Sequence, residues 1–153
     1  MKKLIYLLML LPLGFLGGCD DDDDLPDVNL SITFNNAVVD GSIIYVVKET
    51  PLEITSITAT GNGSKALVTS ATYYWDNFRV GWSPIAPFSA TFGPAYTSEG
   101  NHLLGIYMEI AQEGKSLGFT AVTYNVKAVA SEADLPDGAT PGTVTVNYSG
   151  SPD

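Results

Sequence analysis

From residue 28 onward, the chain alternates apolar and polar residues in short runs that end at turn-forming residues. VNLSITF (28–34) and LEITSITAT (52–60) alternate in this way, and HLLGIYMEIA (102–111) places Leu104 and Ile106 on one side. Runs with a period of two predict β-strands that bury one face. No stretch after residue 27 keeps a 3.6-residue period over ten positions, so long helices are not expected.

The turn-forming residues divide the remaining sequence into further strands. ATYYWD (71–76) meets Asp76-Asn77 and FRVGW (78–82) follows, which predicts a tight hairpin. The other predicted strands are IIYVV (43–47), FSATF (88–92), SLGFTAVTYNVKAV (116–129) and, as a candidate edge strand, TVTVNY (143–148). About seven or eight strands in about 100 residues predict an all-β, immunoglobulin-like sandwich over residues 28–130.

The first 18 residues have the organisation of a secretory signal peptide. Lys2 and Lys3 supply a positive start, residues 4–16 form an apolar run, and Gly17 and Gly18 end it. The run is shorter than a membrane-spanning helix needs to be. Residues 1–18 are therefore interpreted as a signal peptide that is removed from the mature chain.

The end of this segment, Leu16-Gly17-Gly18-Cys19, resembles the bacterial lipobox, in which a leucine and two small residues precede a cysteine. The resemblance implies that Cys19 starts the mature protein and carries a thioether-linked diacylglycerol, which would anchor it in a membrane. This covalent lipid is the only cofactor expected. The alternative is a plain secreted protein in which Cys19, the chain's single cysteine, is incidental.

Five consecutive aspartates, residues 20–24, follow the cysteine. Their mutual repulsion, and repulsion by anionic lipid, predict an extended, hydrated tether over residues 19–27. An acidic run at this place resembles the export signal of Bacteroidota surface lipoproteins, which implies display on the outer surface of the outer membrane. The competing sorting rule of enterobacteria leaves a periplasm-facing lipoprotein as the alternative location.

The sandwich region resembles bacterial Ig-like repeats of cell-surface proteins. The segments ATYYWDNFRVGWSPIAPFSATF and EGNHLLGIYMEI carry the resemblance, through Ala71, Tyr73, Trp75, Asp76, Val80, Gly81, Pro87, Phe88, Gly100, His102 and Leu104. The chain departs from the pattern at Asn77, where glycine is usual, and at Trp82, where a small polar residue is usual. The resemblance implies the fold but no particular function.

Charge and residue content exclude several classes of function. The chain has 17 acidic and 7 basic residues, so nucleic acid is not an expected partner. The excess acid lies in the flanks, whereas residues 28–130 contain seven acids and five bases. The only histidine, His102, matches a corner position of the fold and is expected to pack there. No catalytic set and no zinc site is predicted.

Tyr74 and Trp82 form the candidate ligand platform. Alternation places Ala71, Tyr73 and Trp75 on the buried side of their strand, so Tyr74 should point outward, as should Trp82 on the adjacent strand. Exposed aromatic side chains can stack on sugar rings or anchor a protein partner. The alternative is that loop or linker residues cover both rings.

These features together predict a non-catalytic surface lipoprotein whose sandwich binds a glycan or a surface protein. Glycan capture, adhesion and a place in an envelope complex are all open. The alternatives are a small surface hydrolase or hydrolase inhibitor, and a purely structural spacer. Residues 131–153, rich in Pro, Gly, Ser and Asp, are interpreted as a linker around the candidate edge strand.

Overall fold

The computed structural model describes residues 25–150, and these fold into nine strands and two short 3-10 turns. The strands are β1 (Val28–Asp40), β2 (Ile43–Val47), β3 (Leu52–Gly61), β4 (Ala66–Trp75), β5 (Phe78–Ser83), β6 (Ala90–Phe92), β7 (Gly100–Gln112), β8 (Gly118–Val129) and β9 (Gly142–Gly150). The predicted signal peptide, Cys19 and residues 20–24 lie outside the described residues. In residues 25–150, no helix has the length and apolar character to span a bilayer.

The strands form two sheets that share β1. The first sheet has the order β9-β1-β3-β6 and the second has the order β5-β4-β7-β8-β2. All pairings are antiparallel except that of β2 with β8. β1 pairs with β3 through residues 28–35, with β9 through residues 28–37, and with β2 through residues 38–40. The strand passes from one sheet to the other at Asn36, which has a positive φ of 61° and donates to the Pro51 carbonyl.

This arrangement confirms the predicted fold class. An immunoglobulin sandwich places A, B and E in one sheet and C, F and G in the other. Here β1, β3 and β6 occupy the A, B and E positions, while β4, β7 and β8 occupy C, F and G. The Asp76-Asn77 hairpin is also confirmed, because both residues adopt positive φ, as a tight two-residue turn requires.

The core lies between the two sheets and consists of the residues that alternation points inward. Phe34, Ile106 and Tyr73 are buried there, and the Tyr73 hydroxyl donates a hydrogen bond to the Phe88 carbonyl. Burial raises the pKa of Tyr73, so its hydroxyl keeps the proton that it donates. The described residues include no cysteine, so the sandwich depends on this packing for its stability.

The chain before β1 is held against one end of the sandwich, which we call the tether end. Pro26 packs on Gly118 so closely that a Cβ on Gly118 would lie 2.5 Å from the proline Cδ. The Asp27 N–H donates to the side-chain oxygen of buried Gln112 at 2.7 Å, and the Asn62 N–H donates to the Asp27 carbonyl at 2.9 Å. The β3–β4 and β7–β8 turns therefore lie at the tether end, and the Asp76-Asn77 hairpin lies at the opposite, far end.

The C-terminal segment is packed onto the sandwich. Leu135, between the two 3-10 turns, is buried against Val38 and Val129. The segment TVTVNY lies within β9, which pairs antiparallel with β1 from Phe34 to Val28. Val144 and Val146 of β9 pack against the core. β9 consequently covers an edge of β1 that would otherwise be open to another chain.

Candidate ligand-binding face

The outer side of the second sheet carries large side chains that the core does not use. Trp82 on β5, Tyr107 on β7 and Phe119 on β8 are 57%, 54% and 69% exposed. They share a side because Thr72 on β4 pairs with both Trp82 and Tyr107, and because Glu109, two residues beyond Tyr107, pairs with Phe119. We call the surface formed by Tyr74, Trp82 and Tyr107 the aromatic face, and Phe119 lies at its edge, toward the tether end.

A shallow depression lies in this surface over Gly105. Tyr74 pairs with Gly105 across β4 and β7, and the ring centroids of Tyr74 and Tyr107 are 4.9 Å apart with an interplanar angle of 58°. The depression has a volume of about 160 Å³, and its lining is formed by Tyr74, Asn77, Leu103, Gly105, Tyr107 and Thr123. A Cβ on Gly105 would lie 3.4 Å from the Tyr74 Cβ, so a larger residue would fill the floor.

The two residues of the predicted platform lie on the same side but do not face each other directly. The cross-strand neighbour of Tyr74 is Arg79, whereas that of Trp82 is Thr72. A register shift between Tyr73 and Tyr74 separates the two pairs. Tyr74 packs on Tyr107, and Trp82 also lines a second cleft of about 250 Å³ between the edges of β5 and β6.

Tyr107 and Gly105 were missed by sequence reasoning, although a pattern for them was present. The strand 102–111 places Leu104 and Ile106 inward, so the intervening residues Gly105 and Tyr107 must point outward. Alternation does not indicate the register that brings Tyr107 beside Tyr74, because that contact spans 33 residues of chain.

Polar side chains accompany the rings. Thr72 lies between Trp82 and Tyr107, Arg79 is opposite Tyr74, and Thr123 and Asn77 line the depression. Hydroxyl and amide groups can donate or accept hydrogen bonds beside an aromatic surface, and a guanidinium group can donate them. The face therefore offers stacking surfaces next to hydrogen-bonding groups, which suits a ligand that has both apolar faces and hydroxyl groups.

His102 has a structural role at the far end of the sandwich, where it connects two segments by hydrogen bonds. Its Nδ1 lies 2.8 Å from Asp76 Oδ2 and its Nε2 lies 2.8 Å from the Ser98 carbonyl oxygen, while its ring packs 5.4 Å from that of Trp75. Both partners are acceptors, so both nitrogens donate only when the ring is the imidazolium. Neither nitrogen is then available to take a proton from a nucleophile, as a triad histidine must.

The same contacts set the charge of His102. Burial opposes the charged form, but the hydrogen bonds to Asp76 and Ser98 and the Asp76 charge together outweigh it and raise the histidine pKa. Asp76 also accepts the Leu103 N–H at 2.8 Å, so one carboxylate joins the hairpin to β7 and to the ring. Residues 25–150 contain no cluster of three or more His, Cys, Asp or Glu side chains that could hold a metal ion.

We expect the stability of the protein to decline as the pH rises through the raised pKa of His102. A group whose pKa is higher in the folded state stabilises fully below its unfolded value of about 6.5, and the contribution is lost above the folded value. Urea unfolding midpoints measured from about pH 6 to pH 9 should show the decline. Because His102 is the only histidine, its imidazole NMR signals report the titration directly.

Asp76→Asn is the matched control for this pH dependence. Asparagine tolerates the positive φ of 49° at position 76 and keeps an oxygen for the Leu103 N–H, but it removes the charge beside the ring. In this variant, His102 should titrate at a lower pH. Most of the loss of stability with rising pH should then disappear. An unchanged imidazole titration in Asp76→Asn would show that the carboxylate does not hold the proton.

Comparison with known proteins gives one remote structural similarity. The chain matches no protein-family profile and no curated protein sequence. Among solved structures it is similar to the fibronectin(III)-like modules of CbhA from Clostridium thermocellum, with a TM-score of 0.38 and 17% identity. That match covers 60% of this chain and 92% of the other. The order of the strands, and not this similarity, identifies the fold of the chain.

Proposed function

We propose that this protein is a non-catalytic, lipid-anchored surface module that binds glycans through its aromatic face. The observation that supports it is the set of large aromatic side chains exposed on one side of one sheet, with hydrogen-bonding side chains between them. The resemblance of residues 16–19 to a lipobox supports the anchor, and the acidic run after it supports display on the outer surface of the outer membrane.

A glycan suits this face better than an apolar ligand does. The C–H sides of a sugar ring can lie on exposed tryptophan or tyrosine, while its hydroxyls bond to side chains such as Thr72, Thr123 and Arg79. Trp82 and Tyr107 are two strand spacings apart, about 10 Å between backbones. A ligand that contacts both must be extended, which favours an oligosaccharide over a single sugar.

The depression over Gly105 gives the face a preferred position. Its walls are the paired rings of Tyr74 and Tyr107, and its polar edges are Asn77 and Thr123. Concave sites with a few converging polar groups bind small ligands better than flat surfaces do. We therefore place one sugar unit at the depression and a second unit at Trp82.

Glycan binding should be lost when the exposed rings are removed. Trp82→Ala and Tyr107→Ala should each weaken binding to a glycan identified on an array by about tenfold or more, because each removes a central contact surface. Affinity would be measured by isothermal titration calorimetry. Phe78→Ala is the matched control: Phe78 is 77% exposed, but its cross-strand partner is the buried Trp75, so it lies off the aromatic face.

The thermal unfolding midpoints of the Trp82 and Tyr107 variants should stay close to that of the unmodified protein, since both side chains are more than half exposed. If Phe78→Ala weakened glycan binding equally, the binding site would not lie on the aromatic face. Turnover of a polysaccharide by the purified protein would overturn the non-catalytic part of the proposal.

A further inference from the structure

Exposed apolar side chains also cluster where the tether meets the sandwich. Leu117 and Phe119 are 53% and 69% exposed, and they flank Gly118, the residue on which Pro26 packs. Leu67 on β4 is 55% exposed and pairs with Ala111, on the same side of the second sheet as Phe119. We call Leu67, Leu117 and Phe119 the tether-end patch.

The length of chain before the sandwich restricts what can cover this patch. Five residues lie between Cys19 and Leu25, so the six steps of a chain extended at about 3.5 Å per residue span at most about 20 Å. Pro26 and Asp27 are held against Gly118 and Gln112, which fixes the point at which the tether joins the sandwich. If Cys19 is in the bilayer, the tether-end patch is always within reach of the lipid surface.

From this juxtaposition we propose that the tether-end patch docks on a phospholipid surface and holds the sandwich against the membrane. The inference rests on the lipid anchor of the proposed function and adds an orientation to it. Leucine and phenylalanine side chains lose contact with water when they enter the headgroup region of a bilayer. The docked domain directs its far end, with the Asp76-Asn77 hairpin, away from the membrane.

The charges near the patch select the kind of lipid. Asp27 and Glu113 lie at the tether end together with Lys65 and Lys115, so these four side chains carry no net charge. The net charge on this side of the protein therefore comes from the five aspartates of residues 20–24, which would be repelled by an anionic surface but not by a zwitterionic one. The partner surface is therefore a zwitterionic phospholipid bilayer.

Docking can be measured by the protection of a single introduced thiol. Ser116→Cys places a cysteine in the exposed β7–β8 turn beside Leu117, and with Cys19 lipidated it is the only free thiol in the chain. Thr140→Cys places one at an exposed position before β9, at the far end. The lipidated full-length protein is reconstituted in phosphatidylcholine vesicles and labelled with a membrane-impermeant maleimide.

We expect protection of the introduced thiol to depend on the patch, so that the Ser116→Cys protein is labelled about tenfold more slowly than the Thr140→Cys protein. Adding Leu117→Ser and Phe119→Ser should restore fast labelling of the Ser116→Cys protein. Phe78→Ser, which changes an equally exposed ring at the far end, should leave labelling slow. Equal rates for the Ser116→Cys and Thr140→Cys proteins would overturn the proposal.

Two further outcomes identify other causes. Protection that grows with the amount of protein per vesicle would show that a second copy covers the patch, and would overturn lipid docking. Protein with an unmodified Cys19, shown by its mass, would not float with the vesicles. That result would overturn the anchor itself and the docking with it, whereas floating protein with unprotected Ser116→Cys would overturn the docking alone.

Discussion

Cys19→Ala is expected to abolish lipid attachment and to remove the protein from the outer membrane. The change deletes the only thiol in the chain, so no other residue can form the thioether. Each acyl methylene buried in a bilayer contributes about 0.8 kcal/mol, and two or three chains give effectively stable anchoring. Loss of all chains should therefore change membrane partitioning by many orders of magnitude rather than by a small factor.

Metabolic labelling with an alkyne fatty acid, followed by fractionation of the envelope, measures this effect. Phe78→Ala is the matched control, because it changes an exposed side chain of the sandwich and leaves both the thiol and the acidic run in place. Protease treatment of intact cells then separates outward display from display toward the periplasm. Fatty-acid label retained by Cys19→Ala, or unmodified Cys19 in the native protein, would contradict the anchoring proposal.

Phe92→Ala is expected to destabilise the sandwich by about 3–5 kcal/mol. Phe92 is buried at the end of β6, and its ring centroid lies 4.9 Å from that of Trp75, 6.3 Å from that of Tyr73 and 6.2 Å from that of Tyr96. Removing the ring leaves a cavity between three aromatic partners that cannot all move inward. Since single domains have free energies of unfolding of about 5–15 kcal/mol, this one change would remove a large part of the total stability.

Equilibrium unfolding in urea measures this loss of stability. Phe92→Leu keeps most of the volume and should cost less than about 1.5 kcal/mol. Phe78→Ala removes an equally large ring that is 77% exposed, and it should change stability by about 0.5 kcal/mol or less. A loss below about 1 kcal/mol for Phe92→Ala would show that the aromatic cluster is not a centre of the core.

Most strands could be predicted because their alternation is uninterrupted. β2 has the predicted bounds, and β3 and β7 differ from the predicted ranges only at their ends. β4 begins at Ala66 rather than at residue 71, because a register shift between Val68 and Ser70 breaks the period of two. β1 continues beyond Phe34 to Asp40 because Asn36 adopts a positive φ, which alternation cannot indicate.

The candidate site was less accessible from the sequence. Local alternation is enough to turn Tyr74 outward, but its ring partner Tyr107 depends on how β4 pairs with β7. The tether-end patch also depends on strand pairing. Leu67 and Phe119 are far apart in the chain, and the order β4-β7-β8 brings them to the same end of the sheet.

The position of β1 between β3 and β9 has a mechanical consequence for an anchored protein. In the proposed anchored and ligand-bound protein, a force that pulls the ligand away from the membrane would be transmitted to the tether and would load β1 along its length. Its ladder bonds to both neighbours run across that direction, so they resist sliding together instead of opening one after another. We expect the module to withstand drag from flowing liquid better than a sandwich whose first strand is paired on one side only.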